Sequence, residues 1–168
     1  RAAAGADLVA TDIDPSRRAD ALRIGARWLD PDGAVETECD VLAPCALGGA
    51  INAANVDALR CAIVCGAANN VLAEDWLAER LLAREILYAP DFIANAGGLI
   101  SVFGELRRLP APKVDRLVEG IGEAVGRVLA EAERAGASPL EAARSLARRR
   151  QDPDRGSPRE GVRQPVAG

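Results

Sequence analysis

The chain has 168 residues and a formal net charge of −4, which is enough length for one domain with one core and too acidic for a nucleic-acid surface. Its 49% hydrophobic and 27% charged residues are those of an ordinary globular protein, and no signal-peptide pattern or apolar run near the roughly 20 residues of a membrane span is visible. Aromatics make up only 3%, so the core must be built of Ala, Leu, Val and Ile.

In chain order, Arg1 to Gly5 reads as the last turn of a helix closed by glycine. Asp7 to Ile13 is the first predicted strand. Asp14-Pro15-Ser16 then opens a helix, with Asp14 as N-cap and Pro15 in the first turn, running to about Ala26. Trp28-Leu29 is a short strand and Asp30-Pro31-Asp32-Gly33 a turn. Strands are expected at Asp40 to Ala43, Cys61 to Cys65 and Ile86 to Tyr88. Between them lie a short helix, Asn52 to Leu59, and a longer one, Glu74 to Arg84, with Trp76, Leu77, Leu81 and Leu82 at helical period. Alternating strand and helix implies a parallel sheet with crossover helices.

After Gly98 the strands cease. Leu99 to Leu106 is a predicted helix, broken by Pro110-Ala111-Pro112. Val114 to Ala135 is a long amphipathic helix with Leu117, Ile121, Val125, Val128 and Leu129 on one face, stopped by Gly136. Ser138-Pro139-Leu140-Glu141 is a capping-box start for a last helix to about Arg150, whose Arg148-Arg149-Arg150 suits a helix C-terminus. The Arg/Pro/Gly-rich segment 151–168 is expected to be a disordered tail, which leaves residues 1–150 as the folded unit.

Three small-residue clusters follow three of the strands. They are Ala43-Pro44-Cys45-Ala46-Leu47-Gly48-Gly49, Gly66-Ala67-Ala68-Asn69-Asn70 and Tyr88-Ala89-Pro90-Asp91-Phe92-Ile93-Ala94-Asn95-Ala96-Gly97-Gly98. Open α/β sheets bind ligands just outside the carboxyl ends of their strands. Gly and Ala there admit a flat ligand close to the backbone, and Asn adds a group that both donates and accepts. Any one cluster alone reads as an ordinary turn; three with the same grammar read as the floor of a nucleotide site. Asp12, ending the first strand, is placed to hydrogen-bond a ribose, the alternative being that it only caps the next helix. Asp14, directly before Pro15, is the better cap.

Cys39, Cys45, Cys61 and Cys65 lack zinc-site spacing, and the chain has no histidine, so no metal site is expected. The cysteines read as reduced thiols of a cytoplasmic protein. In a dinucleotide-binding fold a strand bearing a glycine-rich phosphate turn precedes the first helix, and no G-x-G-x-x-G followed by a helix occurs here. The expected architecture is a Rossmann-like parallel sheet lacking its first strand and glycine turn, followed by C-terminal helices. The chain is therefore expected to be a fragment.

The segment Val9-Ala10-Thr11-Asp12-Ile13-Asp14 and the three clusters, in this order and spacing, resemble the cofactor domain of the glutamate/leucine/phenylalanine/valine dehydrogenases, above all the leucine, valine and phenylalanine branch. The resemblance covers roughly residues 1 to 150. It implies NAD as cofactor and reversible oxidative deamination of an L-amino acid, branched-chain or phenylalanine, to a 2-oxo acid and ammonia, in a homo-oligomer when full length. On the same grounds Asp12 would hold the adenosine ribose, and Cys45 and Ala46 would line its adenine side. Ala68 and Asn69 would sit by the nicotinamide ribose, Asn69 also reaching the substrate. Asn95 would hold the carboxamide, and Leu99 and Val102 would face the substrate side chain. The family's catalytic domain, with its lysines and proton-shuttling aspartate, has no counterpart here. The sole lysine, Lys113, matches no motif. The competing reading is a non-catalytic nucleotide-binding regulatory module or degenerate remnant; a third is an α/β scaffold with no ligand.

Overall fold

The computed structural model describes residues 5–151. The helical turn expected before Gly5 lies outside them, as does the tail expected beyond Gln151.

The strands are β1 (Val9–Ala10), β2 (Arg27–Trp28), β3 (Cys39–Leu42), β4 (Cys61–Val64) and β5 (Leu87–Tyr88); the helices are α1 (Arg18–Arg23), α2 (Trp76–Ala83), α3 (Asp91–Ala94), α4 (Gly97–Leu106), α5 (Ala111–Ala135) and α6 (Pro139–Gln151). Every strand pair is parallel. The strands form two groups, β1-β2 and β3-β4-β5. In the dinucleotide-binding order 3-2-1-4-5-6, these groups correspond to positions 3-2 and 4-5-6, with β1 and β3 at the edges that face position 1. Among the described residues neither has a strand partner on its other side.

Asp14 caps as expected: its Oδ1 accepts the Ser16 N–H at 2.9 Å, and those bonds hold its carboxyl below the usual carboxylate range. The turn that follows is 3-10 over Pro15–Arg17 before α1 begins.

The helix expected over Asn52 to Leu59 is instead a run of turns. Asn55 Oδ1 accepts the Asn52 N–H, and Asn52 Oδ1 accepts the Ala54 N–H, each at 2.9 Å. Asparagine side chains that satisfy nearby backbone donors compete with the helical ladder. Asn55 Nδ2 also donates to the Ala50 carbonyl at 2.9 Å. The segment still delivers Val56 and Leu59 to the core, and the Arg84 guanidinium ties it down by donating to the carbonyls of Val56 and Leu59.

The main core joins Ile51, Val64, Leu77, Leu81, Ile86, Tyr88 and Leu140 between the three-stranded sheet, α2 and α6. Leu77 and Leu81 are fully buried, so truncating either to alanine costs about 2–5 kcal/mol. Trp76 and Leu82, expected on the same face, stand half-exposed, and the Trp76 indole donates to Glu74 Oε2 at 2.9 Å. The buried stripe of α2 is narrower than its apolar composition.

Helix α5 begins at Ala111, three residues before the expected start. Pro112 falls in the first turn, where the missing N–H has no partner to lose. Its most buried residues lie in the C-terminal half, while Val114 in its first turn packs against Gly104 of α4. Val128 and Ala132 are buried against Ala142 and Ala143 of α6, whereas Leu117 is 41% exposed. Gly136 ends the helix at φ 61, and the Ala137 N–H returns to the Ala132 carbonyl at 3.1 Å. Ser138 Oγ accepts the Glu141 N–H at 3.4 Å, half of the expected capping box; Glu141 turns instead to Arg148.

Candidate functional site

The three clusters lie beyond the carboxyl ends of β3, β4 and β5, and the backbone binds the first two together. The Ala68 N–H donates to the Pro44 carbonyl at 3.0 Å and the Gly49 N–H to the Asn70 carbonyl at 2.7 Å. A Cβ on Gly66 would lie 2.0 Å from the Pro44 oxygen, and one on Gly48 would lie 2.8 Å from the Asn69 oxygen. These two glycines serve loop-to-loop contact, not the ligand approach expected of them. Gly97 and Gly98, opening α4, face open space.

The third cluster reaches the second through Asn95, the first residue of the turn from α3 into α4. Its Nδ2 donates to Asn69 Oδ1 at 2.7 Å and to the Ala68 carbonyl at 3.2 Å. A backbone carbonyl only accepts, which assigns the nitrogen of Asn95 to that side and, in turn, the oxygen of Asn69. Asn95 Oδ1 and Asn69 Nδ2, one acceptor and one donor, are left without a hydrogen bond among the described residues. Ala68 joins this group through its carbonyl alone, since its methyl is buried in the core. Asn95 caps neither helix with its side chain: α4 has Ala96 at its N-cap and no side-chain cap bond.

Asp12 follows β1. Its Oδ1 accepts the Asp14 N–H at 2.9 Å, so the carboxylate is half engaged locally, and Oδ2 has no hydrogen bond among the described residues. Cys45 is an exposed free thiol and Ala46 is exposed beside it. Cys39 and Cys61 are cross-strand neighbours at the opposite ends of β3 and β4, and burial pushes both thiols up. Among the described residues no group of three or more Cys, Asp or Glu side chains is arranged for a metal. Leu99 and Val102 lie on α4, 74% and 53% exposed, with Phe103 and Leu106 also uncovered. Lys113 sits in the exposed first turn of α5.

Asp91, which the sequence reading passed over, is buried at 8% exposure. Its Oδ2 accepts the Val71 N–H and its Oδ1 the Phe92 N–H, each at 2.7 Å; the Tyr88 hydroxyl accepts the Asp91 N–H at 3.3 Å. Burial pushes the Tyr88 phenol up to about 12. One signal was available: Asp91 is the sole charged residue between Glu85 and Glu105. A second cleft, formed by α2, β5 and the end of α5, is lined by Leu82, Ile86, Leu87, Leu129, Ala132 and Pro139, with no residue singled out in the sequence for ligand binding.

All-parallel strands, crossover helices and small-residue loops at the strand carboxyl ends define a Rossmann-like α/β unit. The chain belongs to the glutamate/leucine/phenylalanine/valine dehydrogenase family, whose model matches residues 11–150. It is 39% identical over 147 residues to a leucine dehydrogenase of Thermoactinomyces intermedius, covering 87% of this chain and 40% of that protein. To the L-tryptophan dehydrogenase of Nostoc punctiforme it is 36% identical over 142 residues, covering 83% of this chain and 40% of the relative. The crystal structure of L-tryptophan dehydrogenase from Nostoc punctiforme superposes with a TM-score of 0.84 at 33% identity, over 90% of this chain and 46% of that one. The chain thus spans about 40% of the length of these curated relatives.

Proposed function

We propose that this chain is the NAD-binding part of an amino-acid dehydrogenase, which catalyses reversible oxidative deamination of an L-amino acid to a 2-oxo acid and ammonia. The observation that carries the reading is the Asn69–Asn95 pair at the carboxyl ends of β4 and β5. A carboxamide NH2 needs an acceptor, which Asn95 Oδ1 supplies, and Asn69 Nδ2 is left to reach the substrate. NAD, when bound, supplies the hydride acceptor. Asn95 then holds the carboxamide in orientation, and Asn69, sharing that bond, faces the substrate. Asp12 Oδ2 accepts from the adenosine ribose, and Cys45 and Ala46 line the adenine side. Ala68 adds its backbone by the nicotinamide ribose.

Deamination also needs an acid/base. Lys113 is on the wrong element to serve, so in this reading the proton transfers belong to a catalytic domain outside residues 1–168. Leu99 and Val102 form an apolar wall that suits a branched aliphatic side chain. The uncovered apolar face of α4 supports assembly as a homo-oligomer. No helix among the described residues is long and apolar enough to cross a membrane, in keeping with the cytoplasmic location we propose.

The test is to express the complete open reading frame and follow NAD reduction with L-leucine, L-valine, L-phenylalanine and L-tryptophan. The expected order puts leucine and valine first in kcat/KM. A clear preference for an aromatic substrate would refute the aliphatic wall. NAD binding with no amino-acid-dependent reduction would favour the non-catalytic nucleotide-binding module.

A further inference from the structure

Asp91 is a buried charge that none of the roles above uses. Its two oxygens each take a different backbone donor, Val71 and Phe92, at 2.7 Å. Val71 closes the loop that carries Asn69, and Asn95, one helical turn after Asp91, holds the other side of that loop at Ala68. The Asn95 N–H also bonds the Asp91 carbonyl at 2.8 Å, so both grips come from one rigid turn. Between the two grips Asn70 takes φ 52, a left-handed conformation that asparagine adopts more readily than most non-glycine residues.

We propose that Asp91 is a positioning residue: through the Val71 N–H it sets the loop that presents Asn69 to the substrate, and so works through Asn69 rather than touching substrate or cofactor. The proposal rests on the dehydrogenase reading for its catalytic consequence. A carboxylate is needed because two donors must be accepted on two separate oxygens. An asparagine has one acceptor oxygen and would turn its NH2 against the second N–H.

The test uses the protein expressed from its complete open reading frame, with NAD and L-leucine. Asp91→Asn is expected to lower kcat about 10- to 100-fold, since a displacement near 1 Å at the reacting centre has that effect, while the KM for NAD changes about two-fold or less. Hydrogen-exchange mass spectrometry should show faster exchange over residues 66–71. In an Asn69→Ala background, the same substitution should cost about two-fold or less, because the group being positioned is gone. A merely structural Asp91 gives a lowered Tm with unchanged kcat per folded molecule, or an equal rate loss in both backgrounds; either result overturns the proposal. Should Asp91→Asn fail to fold, Asp91→Ser, one atom too short to reach Val71, carries the same measurements. Absence of turnover in the wild type would refute the dehydrogenase reading itself. The exchange experiment then decides the positioning by Asp91 on its own, and unchanged exchange at 66–71 overturns it.

Discussion

The side-chain amide of Asn95 donates to Asn69 Oδ1 at 2.7 Å across 26 residues of sequence, locking the turn between α3 and α4 to the loop after β4. Because neither helix is capped by that side chain, its removal leaves the helix ends as they were. Asn95→Ala in the complete enzyme is expected to lower kcat about 100-fold, the scale of a misplaced reacting atom, with a Tm change of no more than a few degrees. Steady-state kinetics beside a thermal melt decides it. A large Tm loss with normal turnover per folded molecule would assign Asn95 to the fold.

Asp12 should make the enzyme prefer NAD over NADP. A 2′-phosphate beside a free carboxylate oxygen is repelled, and the basic group nearest in sequence, Arg17, is drawn instead to Asp14, 3.9 Å away. Asp12→Ala is therefore expected to narrow the ratio of kcat/KM for the two cofactors. Equal use of both by the wild type would show that Asp12 does not select.

Acid should loosen the contact between α5 and α6 at Glu131. Its carboxylate accepts from Arg134 at 2.8 and 3.0 Å and from Arg149 at 2.5 Å, and these bonds lower it from an ordinary 4.5 to about 2. A depressed folded-state value contributes stability above the unfolded value and loses it as pH falls through the folded one. The window is thus from about pH 4.5 down to about 2. Glu131→Gln should flatten the decline of Tm across that window and leave the slope near neutrality unchanged. A series of melts at stepped pH for both proteins would reveal an identical slope if the network contributes nothing.

Residues 1–168 expressed alone are expected to bind NAD weakly or not at all and to turn over no amino acid. The strands β1 and β3 each keep one edge without a strand partner among the described residues, and unpaired edges of a buried sheet invite association. No G-x-G-x-x-G followed by a helix occurs in the sequence to take the pyrophosphate. Calorimetric titration with NAD tests this; tight binding to a well-folded monomer would show that the two strand groups form a complete site without a further strand.

The places where short apolar runs end in Gly, Ala and Asn were legible in the sequence because strand, turn and cluster are neighbours along the chain. The same locality made Asp14 readable as a cap and Gly136 as a helix stop. What failed did so where a distant or competing partner decides the outcome. Asn52 and Asn55 turned an apparent helix into turns by taking backbone donors for themselves. Trp76 and Leu82 have the helical period of Leu77 and Leu81, yet only the latter meet the sheet. Gly66 looked like room for a ligand and is room for Pro44, a contact visible only once β3 and β4 stand side by side. The sequence by itself determined the parallel α/β class, the order of the elements and the three strand-end loops, because these follow from local period and turn chemistry. Only the tertiary structure paired Asn95 with Asn69, buried Asp91 beneath Val71 and left β1 apart from β3, because each depends on which segments meet in space, and local pattern carries no record of that.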